Sequence, residues 1–268
     1  MIDQVVKPAV AAAVLAVLWT IEWAAPMVPI GRRAGHDFRN LALGIGNAAL
    51  AGAVFARATL GVTELAAARE FGLLRLVELS APVKAGLAVV LFDAWQYLWH
   101  RLNHRVPLLW RFHAVHHTDR AMDASTAVRF HTGEILASGA VRLAVLPLLG
   151  MSVQQLLLYE LIVQPVVLFH HSNVAIGVRM DRWLRAVLVT PRMHRMHHSR
   201  RRPETDSNYA SLFSWWDHAF ASFTGPRRPT EVDLGLDGVG EDDWQKLGGM
   251  LRMPFRRGPQ PPGPGQRS

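Results

Sequence analysis

No cysteine occurs anywhere in the 268 residues. Disulfides, thiolate zinc sites and iron–sulfur clusters are therefore excluded. Charge is scarce as well. Asp, Glu, Lys and Arg make up 19% of the chain against 50% hydrophobic residues, and mean hydropathy is +0.12. Soluble domains of this length carry more charge, so the composition points to a membrane protein with a modest polar cap. Acidic residues are the scarcer sign, which leaves a net charge of +8. No basic stripe with interleaved aromatics stands apart from the hydrophobic segments. The excess is read as loop arginine of a membrane protein, and no nucleic-acid partner is expected. Two signatures are also missing: a G-x-G-x-x-G strand–helix unit for a dinucleotide, and the H-E-x-x-H of metalloproteases.

Five hydrophobic segments are present instead, at residues 8–30, 41–60, 83–99, 136–149 and 153–169. The first is long enough for a bilayer crossing, which takes about 20 apolar residues. It lacks a basic n-region and an A-x-A cleavage site, so it is read as an anchor and not a cleaved signal. The third carries Asp93 near its end. The last two are each short for a full span, and the break at Pro147 and Gly150 suggests a hairpin that dips into the bilayer and returns. Arg32, Arg33 and Arg39 follow the first span, and Arg101, Arg105, Arg111, Arg120 and Arg129 follow the third. Between the second and third, Arg69 and Arg75 are offset by Glu64, Glu70 and Glu78. Positive loops stay inside, so residues 100–134 are expected in the cytoplasm of a multi-pass cell-membrane protein. A returning hairpin delivers residues 170 onward to the same face.

On that face the histidines gather. HAVHH holds His113, His116 and His117, and MHRMHH holds His194, His197 and His198. Histidine is 13 of 268 residues, so chance puts roughly 0.03 copies of H-x-x-H-H in such a chain. Two copies need a cause. HRLNH adds His100 and His104, four apart on one helix face, and FHHSN adds His170 and His171. So many imidazoles cannot sit together without a cation. They repel when protonated and leave nitrogens unpaired when buried. Lone histidines such as His36 and His218 are read as satisfied interior residues. Imidazole suits iron, zinc, copper and nickel alike. A zinc hydrolase takes three protein ligands and keeps one open position, so this number suits two metals better. Two irons that bind O₂ beside a lipid C–H bond are the preferred reading. A zinc-dependent membrane hydrolase and a non-catalytic metal-handling protein are the alternatives.

The motif order resembles the fatty acid hydroxylase superfamily, also called the sterol desaturase family. DAWQYLWHRLNH, WRFHAVHHT, RFHTGE, FHHSNV, TPRMHRMHHSR and ETDSNYASLFSWWDHAF are similar to blocks of its bacterial members and cover residues 93–223. The resemblance implies a non-haem diiron oxidoreductase that hydroxylates or desaturates a lipid with O₂ and electrons. Its implied iron ligands are His100, His104, His113, His116, His117, His194, His197 and His198, with His170 favoured over His171 as a ninth. Thr132, His218 and Ala221 depart from the usual proline, arginine and glycine, which puts loop geometry in doubt and not chemistry. His131 could be a ligand or a donor behind one. Glu134, Asp93, Asp181 and Asp206 are candidate acceptors for the second N–H of a ligand imidazole, with loop arginines such as Arg129 or Arg192 as their alternative partners.

The expected organisation is an all-α integral membrane bundle with a cytoplasmic histidine-rich cap. Residues 1–82 supply N-terminal membrane helices, 83–224 the diiron domain, and 225–268 a flexible tail. That tail is rich in Gly, Pro and charge, which leaves little to bury. Without an internal redox cofactor, electrons must come from a separate ferredoxin, cytochrome or flavin reductase.

Overall fold

A computed structural model of the chain describes residues 2–29, 31, 34–236 and 242–256. Arg32, Arg33 and the last part of the tail lie outside the described residues. Among those described the fold is all-helical, with isolated bridges such as Leu188–Phe213 and no strand. The α-helices are α1 (Ile2–Ala24), α2 (Ala34–Ala68), α3 (Ala81–Arg105), α4 (Pro107–His117), α5 (Thr132–Leu149), α6 (Val153–His171), α7 (Val178–Leu184), α8 (Pro191–His197), α9 (Arg202–Thr205), α10 (Trp215–Ala219) and α11 (Leu247–Arg252).

Four segments are long and apolar enough to cross a membrane: Val6–Ala24, Ala34–Arg75, Thr132–Leu149 and Val153–His171. Their outward side chains, among them Val17, Val54, Leu60, Leu158 and Ile162, are exposed and unpartnered by protein. In water such a surface would aggregate; against lipid tails it is neutral.

One expectation about spans is corrected. Residues 83–99 lie in α3, which is not among the four but runs the length of the bundle, from the end of α2 back to the histidines. Its Asp93 is buried and accepts from the Tyr159 hydroxyl at 2.9 Å, Trp216 Nε1 at 2.9 Å and the Phe213 amide at 3.1 Å. That network faces the bundle interior, while Val83 and Leu98 of the same helix are exposed. Residues 136–149 and 153–169, expected to fall short, are lengthened at their histidine ends. α5 starts at Thr132 and α6 runs to His171, so each rises about 27 Å.

Caps mark where the sequence stops these helices. Ser152 and Gln155 form a reciprocal capping box at the start of α6. Gly150 closes α5 in the left-handed region at φ 71°. Gly72, at φ 113°, lies against it so closely that a Cβ there would sit 2.3 Å from the Gly150 nitrogen. Only a side-chain-free backbone fits. This contact ties the end of α2 to the α5–α6 turn, at the end of the bundle opposite the histidines.

At the other end, Glu22 of α1 is fully buried and accepts the amides of Ala124 and Asn173 at 2.9 and 2.7 Å. Described residues after 225 also pack down, more than the expectation of a tail with little to bury allowed. Met250, Met253 and Leu236 join Trp110 and Leu43 in one apolar cluster, and Val232 and Leu234 pack with Met122 and Met196. Apolar residues spaced too irregularly to show a helical period suffice here, because the cap supplies the other wall.

Candidate metal centre

Chain geometry aims the histidines. Pro107 cannot continue α3, so the chain turns at Val106 and begins α4 on proline, folding H-x-x-x-H of one helix onto H-x-x-H-H of the next. Thr190 caps α8 by accepting the Met193 amide, with Pro191 at the first helical position. Its hydroxyl in turn donates to Asp181 at 2.6 Å. Asp181 therefore holds the cap of α8 and is not a partner of an imidazole.

The structure draws nine imidazoles into two adjoining groups. His100, His104, His113, His117 and His197 form the first, and His116, His171, His194 and His198 the second, with potential ligand atoms within 4.8 Å inside each. Nε2 of His100 lies 3.1 Å from those of His113 and His197, and His117 Nε2 lies 3.2 Å from His113 Nε2. In the second group, His171 Nε2 is 3.1 Å from His116 Nε2 and 3.0 Å from His194 Nε2. The groups touch where His117 stacks on His198, centroids 4.6 Å apart.

The outer nitrogens decide what the inner ones are. Nδ1–H of His100 donates to the Tyr209 carbonyl at 2.7 Å, that of His197 to Ser207 at 2.6 Å and that of His171 to Val167 at 2.8 Å. His113 Nδ1 faces Glu134 Oε1 at 2.8 Å, and His104 Nδ1 faces Asp206 Oδ1 at 3.3 Å. Each acceptor fixes the proton on Nδ1 and leaves a lone pair on Nε2. The Nε2 lone pairs of His100, His113 and His197 thus converge at hydrogen-bond distance with no proton between them.

Protonation does not relieve this. Burial, followed by the charges of neighbouring rings, pushes His100 down to about 3. It holds His104, His116, His117, His194, His197 and His198 well below the ordinary imidazole value. His104 Nε2 and both nitrogens of His198 are buried with no hydrogen-bond partner. A buried nitrogen without a partner is costly unless it binds a cation. Two nitrogens each about 2.1 Å from one metal, at right angles, stand about 3.0 Å apart, close to the separations seen. The donor set fits two metal ions held by imidazole alone.

His170, the favoured ninth position, is not in either group. Its ring packs on His194 with centroids 4.1 Å apart, while the neighbouring His171 points inward. His131 also stays outside: it caps α5 by accepting the Gly133 amide and donates to the Leu251 carbonyl. Of the four candidate carboxylates, Glu134 and Asp206 sit behind imidazoles of the first group; Asp93 and Asp181 do not. Arg129 is not the partner of Glu134 and bonds instead to Asn40, Thr118 and Gln245.

His36 is interior, as its isolation suggested, and bonds Asp119 at 2.9 Å and Asp37 at 3.1 Å. With Asp123 it makes a buried ion cluster that stands on its own charges. His218 is not interior; it is exposed and stacks on Phe223. Sequence reasoning missed the carbonyls of Ser207 and Tyr209, and Asp217, whose carboxylate accepts the Tyr209 and Ala210 amides at 2.8 and 3.0 Å and so holds that turn. Carbonyl acceptors leave no mark in a sequence; the NYAS block around them was the only signal.

Comparison with known proteins agrees with this geometry. The fatty acid hydroxylase family profile matches residues 85–222. The ornithine lipid hydroxylase OlsE of Rhizobium tropici is 33% identical over 152 residues, 57% of this chain and 45% of that protein. The human alkylglycerol monooxygenase is 31% identical over 136 residues, 49% of this chain and 28% of that protein. The chain thus spans less than half the length of these relatives, and no solved structure matches it. With its profile match covering half of the sequence and every H-x-x-H-H histidine gathered into the two imidazole groups, the chain belongs to the fatty acid hydroxylase family.

Proposed function

We propose that this chain is a membrane-bound non-haem diiron oxidoreductase that hydroxylates or desaturates a lipid, using O₂ and electrons from a separate donor. The observation that carries the reading is the convergence of Nε2 lone pairs whose tautomers are set from behind by Tyr209, Ser207, Val167, Glu134 and Asp206. His100, His104, His113, His117 and His197 would hold one iron, and His116, His171, His194 and His198 the other, with His170 as a packing ring behind His194. Bound iron would supply O₂ activation at this place.

The chain's own part is orientation and exclusion. The back-side acceptors keep the rings of His100, His104, His113, His171 and His197 from rotating, and Asp217 keeps the Tyr209 carbonyl in position. Eight of the nine histidines are buried and His100 is partly buried, which keeps most bulk water out. The span helices α5 and α6 run from the centre into the apolar zone, which offers an alkyl chain a path without leaving lipid. The names of both relatives support hydroxylation of a polar lipid as the reaction. The loop arginines support a cytoplasmic face in the cell membrane. They also suit an acidic carrier such as a ferredoxin or cytochrome, or a flavin reductase. A zinc hydrolase fits less well, because groups of five and four imidazoles exceed three ligands and an open position.

The test is metal content with lipid analysis. Purified protein should carry about two irons per chain. Lipid extracts of producing cells should contain a species heavier by one oxygen or lighter by two hydrogens, absent without O₂. One tight zinc, or an unchanged yield of product under strict anaerobiosis, would overturn the reading.

A further inference from the structure

Beside the metal centre, on the outer side of α8, is a cleft of about 330 Å³. Arg120, Arg195 and Arg200 line it, with Asp233 the one acidic side chain and Val28 and Leu234 among its apolar walls. Arg195 is only 6% exposed. Its Nε donates to the Pro229 carbonyl at 3.1 Å, and among the described residues it has no carboxylate partner. Neither terminal nitrogen of Arg195 is among the buried unpaired atoms, so the free edge of the guanidinium opens on the cleft, where its planar fork matches the oxygens of a phosphate.

The cleft's position indicates where the anion comes from. Val28 lies in the connection between the first two candidate spans, and both its backbone groups bond the Asn173 side chain just after α6. The ends of the first and last candidate spans therefore meet beside the cleft, and span ends stand near the headgroups of a bilayer.

We propose that Arg195, with Arg120 and Arg200, forms a phosphate-binding site for a membrane phospholipid headgroup or free phosphate. Arg195 is flanked by His194 of one imidazole group and, two residues on, His197 of the other. An occupied site would brace α8 from behind. This site stands apart from the reaction proposed above and holds whatever metal the histidines bind.

The test uses the full chain in detergent, titrated with inorganic phosphate at constant ionic strength while Tm is followed. A saturable rise is expected. Arg195→Gln should weaken it about tenfold while metal content is retained, and Arg195→Lys less. Asp233→Asn, at an exposed position, should tighten it at least about twofold. Native mass spectrometry from phosphatidylglycerol vesicles, against vesicles of a neutral glycolipid, separates the sources. Retained phosphatidylglycerol that is lost in Arg195→Gln assigns the site to lipid; a response to inorganic phosphate alone assigns it to the free ion. An equal rise with chloride, or binding indifferent to Arg195→Gln, would overturn the proposal. If Arg195→Gln does not fold, the absence of tightening in Asp233→Asn would do so.

Discussion

His113 Nδ1 and Glu134 Oε1 face each other at 2.8 Å, both side chains buried, across the joint between α4 and the first turn of α5. The carboxylate both fixes the tautomer of this ring and adds the one negative charge behind the first imidazole group that is nearly excluded from water. Glu134→Gln keeps the shape and removes the charge. We expect iron affinity to fall about 10- to 100-fold, read as faster loss to a chelator. Unchanged retention would mean that the pair only packs.

The adjacent histidines of FHHSN should behave differently. His171→Ala removes a member of the second group, so metal content should fall towards one ion per chain or below. His170→Ala removes a ring that stacks on His194 and should retain more metal. Metal analysis of the two purified variants decides, and the reverse order would return the ligand role to His170.

The metal-free protein should be acid-labile in a defined window. Burial holds His104, His116, His117, His194, His197 and His198 well below 6.5, and His100 at about 3. Between those limits the unfolded chain binds protons that the fold refuses. Stability is therefore full above the unfolded value and falls as pH drops below 6.5. Melting of metal-free protein at pH 8, 6.5 and 5 should give a Tm that declines over the last step. A flat profile would contradict buried neutral imidazoles.

His36→Ala leaves Asp119 buried beside a cavity in place of its imidazole partner. Loss of one partner of a buried pair costs about 3 kcal/mol, so yield and Tm should both fall. His218→Ala, on an exposed ring, should change Tm little.

Orientation is open to single-cysteine labelling, since the chain has no cysteine of its own. Ser80 is exposed at the start of α3, the end away from the histidines, and Gly225 is exposed on the cap with open space for a Cβ. Ser80→Cys and Gly225→Cys should label from opposite sides of the membrane, Gly225→Cys from the cytoplasm. Labelling of both from one side would mean that the bundle does not span.

What the sequence revealed was the chemistry at spacings of three and four, because one helical turn presents those residues together. His113, His116 and His117 share a turn whatever surrounds them. The choice between His170 and His171 was not legible, since neighbours on a helix differ by about 100° and only the packing of α6 settles which one faces inward. The third hydrophobic run was legible as a helix, but nothing near Asp93 in the sequence marked the buried network that Tyr159, Trp216 and the Phe213 amide build on it. Met250 and Met253 were hidden too, because their burial depends on Trp110, more than a hundred positions away.

Both short histidine helices serve both groups: α4 gives His113 and His117 to one and His116 to the other, and α8 with its C-terminal cap gives His197 to one and His194 and His198 to the other. Neither helix can move to accept one ion without also repositioning ligands for its neighbour. Loading should therefore be cooperative, with the half-filled protein a scarce species. A titration with ferrous iron would then pass from empty to full with few singly occupied chains, so a limited iron supply would set how many molecules work and not how well each one does.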